Sequence, residues 1–154
     1  FMAKQKITPC LWIEKDAKKA VQYYLSIFKT GKLKSYQAYK DTSGGSFDFA
    51  TMEILGMELQ ILGAGSPFKF NEAVSLSISC KGQTEVDYYW KALTAKGGSE
   101  APCGWLKDKY GLSWQIVPVQ LAKLMSDKNK AKRTFALNAM LKMKKIIIAD
   151  LEEK

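Results

Sequence analysis

The residue types that do chemistry are unevenly supplied. The chain of 154 residues contains no histidine. That excludes histidine-based catalytic triads, paired-histidine zinc sites and every histidine-ligated metal centre. A general base would have to be a carboxylate, a lysine, a tyrosine or a cysteine. Three cysteines, Cys10, Cys80 and Cys103, are scattered, and none forms a C-x-x-C pair. An odd, dispersed set reads as free thiols in a reducing compartment, packed as small apolar residues, with Cys103 the candidate for a reactive one. Glu58 and Gln60 stand two apart in one apolar run, and Ser113 and Gln115 stand two apart in another. Residues two apart in a strand share a face. Glu58 and Cys103 are the candidates for catalysis.

These residues need strands to hold them, and the pattern supplies strands. Residues 7–13 form an apolar, β-branched run. Asp16 stands as a helix N-cap before Ala17, Ala20, Val21, Tyr24, Leu25 and Phe28, which recur at helical spacing, and Gly31 ends that helix. Strands are expected over 33–39, 47–54 and 57–62, with turns at 41–46 and Gly56. After a loop at 63–71 the order begins again. Residues 73–80 alternate Val74, Leu76, Ile78 and Cys80 with Ser75, Ser77 and Ser79. A helix over 83–96 ends at Gly97-Gly98. A short strand over 99–103 and a hairpin of 105–107 with 112–117 about Gly111 follow, with Lys107 and Asp108 reading as hairpin turn rather than a catalytic pair.

Two echoes mark a duplication. Val21-Gln22-Tyr23-Tyr24 recurs as Val86-Asp87-Tyr88-Tyr89, and Gly56-Met57-Glu58-Leu59-Gln60-Ile61-Leu62 as Gly111-Leu112-Ser113-Trp114-Gln115-Ile116-Val117. Both fall at the same places in a strand-helix-strand-strand-strand unit. Repeat one therefore runs over about 5–62, a linker over 63–72 and repeat two over about 73–117. Residues 118–154 form a helical extension with no counterpart in repeat one. In it, 119–125 reads as a helix. Asp127 reads as the cap of a second helix reaching Met143, and 146–151 as a short strand or a last helical turn.

Composition narrows the partners. The net charge is +9, but the lysines are spread along the chain and Arg133 is the only arginine. Nucleic-acid readers rely on arginine forks, so no nucleic acid is expected. The basic stretch 123–145 reads as the wet face of amphipathic helices. No apolar run approaches the roughly 20 residues that span a bilayer. Residues 1–4 show no apolar h-region of a secretory signal, and Phe1 ahead of Met2 reads as a cloning remnant. A cytoplasmic, membrane-free protein is expected.

The residues also carry a family resemblance. It lies in Thr8-Pro9-Cys10-Leu11-Trp12, in Phe68-Lys69-Phe70-Asn71-Glu72-Ala73, in Cys103-Gly104-Trp105-Leu106-Lys107-Asp108-Lys109-Tyr110-Gly111-Leu112-Ser113-Trp114-Gln115-Ile116-Val117-Pro118 and in Met140-Leu141-Lys142-Met143-Lys144-Lys145-Ile146. With the duplicated unit, these segments resemble the PhnB-like family of the vicinal-oxygen-chelate (glyoxalase/bleomycin-resistance) superfamily. Its members often carry the name 3-demethylubiquinone-9 3-methyltransferase. The resemblance implies an α+β fold: one glyoxalase-like domain over 1–154, two βαβββ repeats in a cupped mixed sheet with helices on the convex face, the helical extension, and a homodimer. In metal-using members the ligands come from the first and last strands of each half. Here the resemblance maps those places onto Gln60 and Gln115 and onto Pro9 and Val74, or Ala73 for the last. Two neutral amides without carboxylate or imidazole neighbours are poor ligands for a divalent ion. No metal and no cofactor are expected. Gly63-Ala64-Gly65 is followed by Ser66-Pro67 rather than a helix, which argues against a nucleotide-type cofactor turn.

The expected site is a cup presenting Glu58, Gln60, Ser113 and Gln115, with Phe70 and Trp105 as aromatic walls. Trp12 joins them if its register allows. Such a cup suits a small organic ligand. Its glutamines would hydrogen-bond that ligand, or else each other or trapped water. Three readings follow. One is a metal-free small-molecule binding protein. Another is an enzyme, whether of the methyltransferase named above or of other superfamily chemistry. The third is a dimeric interaction domain with an unused cup.

Overall fold

The computed structural model describes residues 5–65 and 67–153, so the expectations about residues 1–4 lie outside the described residues. The chain divides into two compact units, Phe1–Lys69 and Phe70–Lys154.

The first unit runs β1 (Cys10–Ile13), α1 (Ala17–Ile27), β2 (Lys32–Thr42), β3 (Gly45–Ile54) and β4 (Met57–Gly63). They form a four-stranded sheet in the order β1-β4-β3-β2. β1 lies parallel to β4, and the other pairs are antiparallel. Asp16 caps α1, its carboxylate accepting from the Lys19 backbone N–H at 3.1 Å. The predicted helix face is the buried one. Ala17, Ala20, Val21, Tyr24 and Ile27 are buried, as are Leu11, Ile13, Ala50, Met52, Leu59 and Ile61 of the sheet. Each fully buried aliphatic side chain stabilises by roughly 1.5–3 kcal/mol. An exposed ion pair contributes about 1 kcal/mol at most, so packing decides how α1 sits.

One polar contact fixes that helix from the sheet. Asp48 Oδ1 on β3 accepts from the Ala17 N–H at 3.0 Å. Its other oxygen accepts from the Tyr36 hydroxyl at 3.3 Å. Residue 63 stands opposite Asp48 in the register. A Cβ there would overlap Asp48 Oδ1 and the backbone nitrogens of Asp16 and Ala17, so glycine is required.

The second unit repeats the order: β5 (Ser75–Cys80), α2 (Gln83–Thr94), β6 (Ser99–Glu100), β7 (Trp105–Lys107) and β8 (Ser113–Pro118), with the sheet order β5-β8-β7-β6. β5 is parallel to β8. Helix α2 buries Val86, Trp90 and Leu93, and the sheet buries Ile78, Cys80, Leu106, Trp114 and Ile116. Burial pushes the Cys80 thiol up to about 11. The predicted duplication is thus present as two βαβββ units, the second shorter.

The extension holds α3 (Val119–Met125), α4 (Lys130–Met140) and a 3₁₀ turn, Ile148–Asp150. The expected cap at Asp127 falls instead on Asn129, whose Oδ1 accepts from the Ala131 and Lys132 N–H groups. Asp127 organises the turn before it by accepting from Asn129 N–H. The helix stops at Met140, short of Met143, and of the two forms expected for 146–151 the helical turn is present, as the 3₁₀ turn at Ile148–Asp150. Leu121, Ile146 and Leu151 form a small core with Met140 and Met143 packed on it. Backbone bonds from Cys103 N–H to Met143 O (2.8 Å) and from Gly104 N–H to Lys144 O (2.7 Å) tie the extension to the second sheet. Gln83 adds two more, to Ile146 O and from Ile148 N–H. Among the described residues no helix is long and apolar enough to cross a membrane.

Candidate functional site

With the helices packed on one face of each sheet, the other face carries the polar residues. In the first unit the register aligns Cys10, Gln60, Thr51 and Ser35 across the strands, and Trp12, Leu62, Phe49 and Gln37 in the next row. Trp12 therefore shares a face with Gln60. Its ring is 40% exposed, stacks edge-on with Phe68 at 5.3 Å and donates Nε1–H to Gly65 O at 2.8 Å. Glu58 lies two residues before Gln60 on the same side. Its carboxylate is held by Lys34 Nζ at 2.6 Å, and that hydrogen bond raises the lysine's pKa. Beside it, Glu53 pairs with Lys32 at 3.6 Å. Glu58 is thus engaged in an ion pair, the opposite of what a free general base needs.

In the second unit the corresponding row is Ser77, Gln115 and Trp105, and the adjacent one is Ser75, Ser113, Lys107 and Ser99. Gln115 donates Nε2–H to Ser75 Oγ at 2.9 Å. Ser113 is 1% exposed, with its hydroxyl 3.5 Å from Asn71 O. Trp105 stands directly beside Gln115 in the antiparallel pair. Lys107 Nζ meets Glu72 at 2.6 Å, and that contact lowers the pKa of the Glu72 carboxyl. Phe70 is half-buried in the loop before β5, outside any strand.

Asp108 anchors this face from behind. It is 2% exposed. Oδ1 accepts from Tyr110 N–H (2.8 Å) and Leu112 N–H (3.2 Å), and Oδ2 accepts from Trp114 Nε1–H at 2.9 Å. These bonds shape the turn into β8 and seat Trp114 against the helix side. Period-two alternation then turns Ser113 and Gln115 to the open side.

Cys103 belongs elsewhere. It has φ +61 and its N–H is committed to Met143 O, so it is part of the joint that holds the extension. The residues opposite the two glutamines are Cys10 and Ser77, not Pro9 and Val74. Val74 precedes β5 and is 70% exposed. The echo between the helices misleads because the spacing from Ser77 to Val86 is two residues shorter than that from Cys10 to Val21. Cys10, Thr51, Ser75 and Ser77 were the site residues that sequence reasoning missed. The alternating serines were visible, but their pairing with Gln115 is parallel and non-local.

The donor set can be tested against a divalent metal. In the first unit Gln60 offers an amide oxygen and Cys10 a thiol; in the second unit Gln115 offers an amide oxygen and Ser77 a hydroxyl. Burial raises the Cys10 thiol, favouring its protonated form. Glu58, the neighbouring carboxylate of that face, is bound to lysine. Neither set supplies the carboxylates or imidazoles that a divalent ion favours. Among the described residues no group of three Cys, Asp or Glu could hold an ion.

Known proteins place this arrangement. The profile of the 3-demethylubiquinone-9 3-methyltransferase family matches residues 5–117. No curated protein matches the chain. The solved PhnB protein from Bacillus cereus is 29% identical, covers 74% of this chain and 99% of its own, and superposes with a TM-score of 0.66. PA1353 from Pseudomonas aeruginosa is 17% identical, with coverages of 75% and 98% and a TM-score of 0.62. The fosfomycin resistance protein FosX from Listeria monocytogenes, solved with Mn(II) and sulfate, is 18% identical, with coverages of 75% and 92% and a TM-score of 0.55. The chain belongs to the 3-demethylubiquinone-9 3-methyltransferase family, and it shares the fold of the PhnB and FosX proteins.

Proposed function

We propose that this chain is a small-molecule binding protein that works without a metal. One observation carries the reading. The equivalent last-strand positions of the two units both hold glutamine, and their first-strand partners are Cys10 and Ser77. An amide both donates and accepts, so these positions suit an organic ligand better than a cation. FosX, whose structure holds Mn(II), shares the fold at 18% identity, and likeness at that level carries no site. The methyl transfer in the family's name calls for a methyl donor. The glycine-rich turn after β4, Gly63–Gly65, is followed by no helix before α2 among the described residues.

In this reading the chain acts as a single glyoxalase-like domain and as a homodimer in a reducing cytoplasm. All eleven residues of β2 are exposed in the single chain, which suits an element completed by a partner copy. The three thiols are unpaired. Thermal denaturation with a library of small organic fragments tests the reading, run in EDTA and again in Mn(II). A ligand that binds only the native state raises the melting temperature. Hits that stabilise equally in both buffers, and that Gln60→Leu or Gln115→Leu abolishes, are expected. Stabilisation that requires Mn(II) would overturn the proposal.

A further inference from the structure

Lysines run the length of the chain, but acidic residues do not. Between Asp108 and Asp150 the one acidic residue is Asp127. Residues 123–145 hold seven lysines and Arg133 against it, so 23 residues carry +7 of the chain's +9. Lys145 pairs with Asp87 at 2.6 Å, and Lys144 stands 4.0 Å from Glu100. Lys123, Lys128, Lys130, Lys132 and Lys142 are exposed and make no ion pair among the described residues. Apolar side chains lie among these charges. At about 3.6 residues per turn, Lys130, Thr134, Leu137 and Leu141 fall on one face of α4, opposite the buried Ala136. Leu137 is 36% exposed and Leu141 57%. They stand one turn apart, with Lys130 before them and Lys142 beside them. We infer that this face of α4 docks on an anionic lipid surface, with the two leucines at the acyl boundary and the unpaired lysines on the headgroups. The contact is peripheral and needs no spanning segment.

The residue types choose among the polyanions that such a patch attracts. Nucleic acid is read and gripped largely by arginine forks. Arg133, the only arginine, is committed inside the extension, where Nη1 donates to the carbonyls of Asp127 and Lys128. Protein interfaces are depleted of lysine, and here the leucines are ringed by it. A membrane surface favours the combination. A lysine lays its methylenes along the apolar boundary and keeps its ammonium among the headgroups. A helix with basic and leucine side chains gains both from buried apolar area and from attraction to anionic lipid.

Flotation of the full chain with vesicles tests this, using phosphatidylcholine alone and phosphatidylcholine with about one-third phosphatidylserine. The mixed vesicles are expected to carry the protein at low salt and to release it as ionic strength rises. Neutral vesicles should not carry it. Lys130→Gln with Lys142→Gln should weaken binding to the mixed vesicles about 25-fold, roughly fivefold for each lysine. Leu137→Ser with Leu141→Ser should weaken it about fivefold or more at an unchanged melting temperature. Leu141→Ser alone serves if the pair lowers that temperature. A short DNA duplex supplies a polyanion without an apolar layer, and it should bind more weakly than the mixed vesicles. Tighter binding to the duplex would overturn the inference in favour of nucleic acid. Vesicle binding that the leucine changes leave unaltered would also overturn it, because charge alone would then account for the attraction. Absence of flotation with the mixed vesicles at low salt would overturn it outright.

Discussion

At the scale of single residues, the site depends on side chains that never face it. Asp108 is the clearest case, a buried carboxylate that accepts from the Tyr110 and Leu112 N–H groups and the Trp114 indole inside the β7–β8 hairpin. Asparagine there would keep an oxygen for Tyr110 and Leu112 but would turn an N–H₂ toward the indole N–H of Trp114. Asp108→Asn is therefore expected to cost about 1–3 kcal/mol, read as a lowered urea midpoint at unchanged slope. An unshifted midpoint would mean that the Trp114 contact is dispensable. The sequence made this turn legible through the run Lys107-Asp108-Lys109-Tyr110-Gly111, because a local hydrogen-bonding pattern is written in local residues. It also made the facing of Ser113 and Gln115 legible, because alternation is local. It left Trp12 ambiguous, since its side is settled only by the pairing of β1 with a strand about fifty residues later. The same non-local pairing put Cys10 and Ser77, rather than Pro9 and Val74, beside the glutamines.

At the scale of elements, each helix is held to its sheet by apolar burial and then fixed in register by one or two polar contacts. In the first unit that contact is Asp48 to the first turn of α1, and it exists because Gly63 leaves room for it. Gly63→Ala is expected to destabilise by about 1–3 kcal/mol through overpacking. Gly44→Ala, where an added Cβ meets only Thr42 Oγ1 at 3.8 Å, should change stability by no more than about 0.5 kcal/mol. Equal effects from the two would remove the proposed role of Gly63. The helix and strand types were readable from periodicity throughout. The ends were not. α4 begins at Asn129 rather than Asp127, because two candidate caps stand two residues apart and only three-dimensional geometry chooses between them. Segment 146–151 carries three consecutive isoleucines, which read as a short strand or a last helical turn. It becomes a 3₁₀ turn because Ile146 is drawn into the core with Leu121 and Leu151, and Gln83 accepts from the Ile148 N–H.

At the scale of the whole molecule, the family fold accounts for residues 5–117, and the extension is added beyond it. Cavities of about 430 and 460 Å³ lie along α4, lined in part by Phe135 and by no residue of the Gln115 face. Their walls mix shallow apolar surface with exposed lysine and carboxylate, and they carry no set of convergent polar groups. The duplicated architecture was legible because two sequence echoes fell at matching places, a signal that survives even where the connecting lengths differ. The charge balance of the faces was not legible. Lys34, Lys107 and Glu72 look like ordinary members of a lysine-rich surface until the register brings each to its partner.

The central claim is that the glutamine positions do not bind a metal. Native mass spectrometry of the purified protein tests it most directly, with one sample supplemented with Mn(II) and one treated with chelator. The account predicts the same homodimer mass in both, with no metal bound. One Mn(II) per chain, lost on chelation, would contradict it and would return these positions to the metal chemistry of FosX.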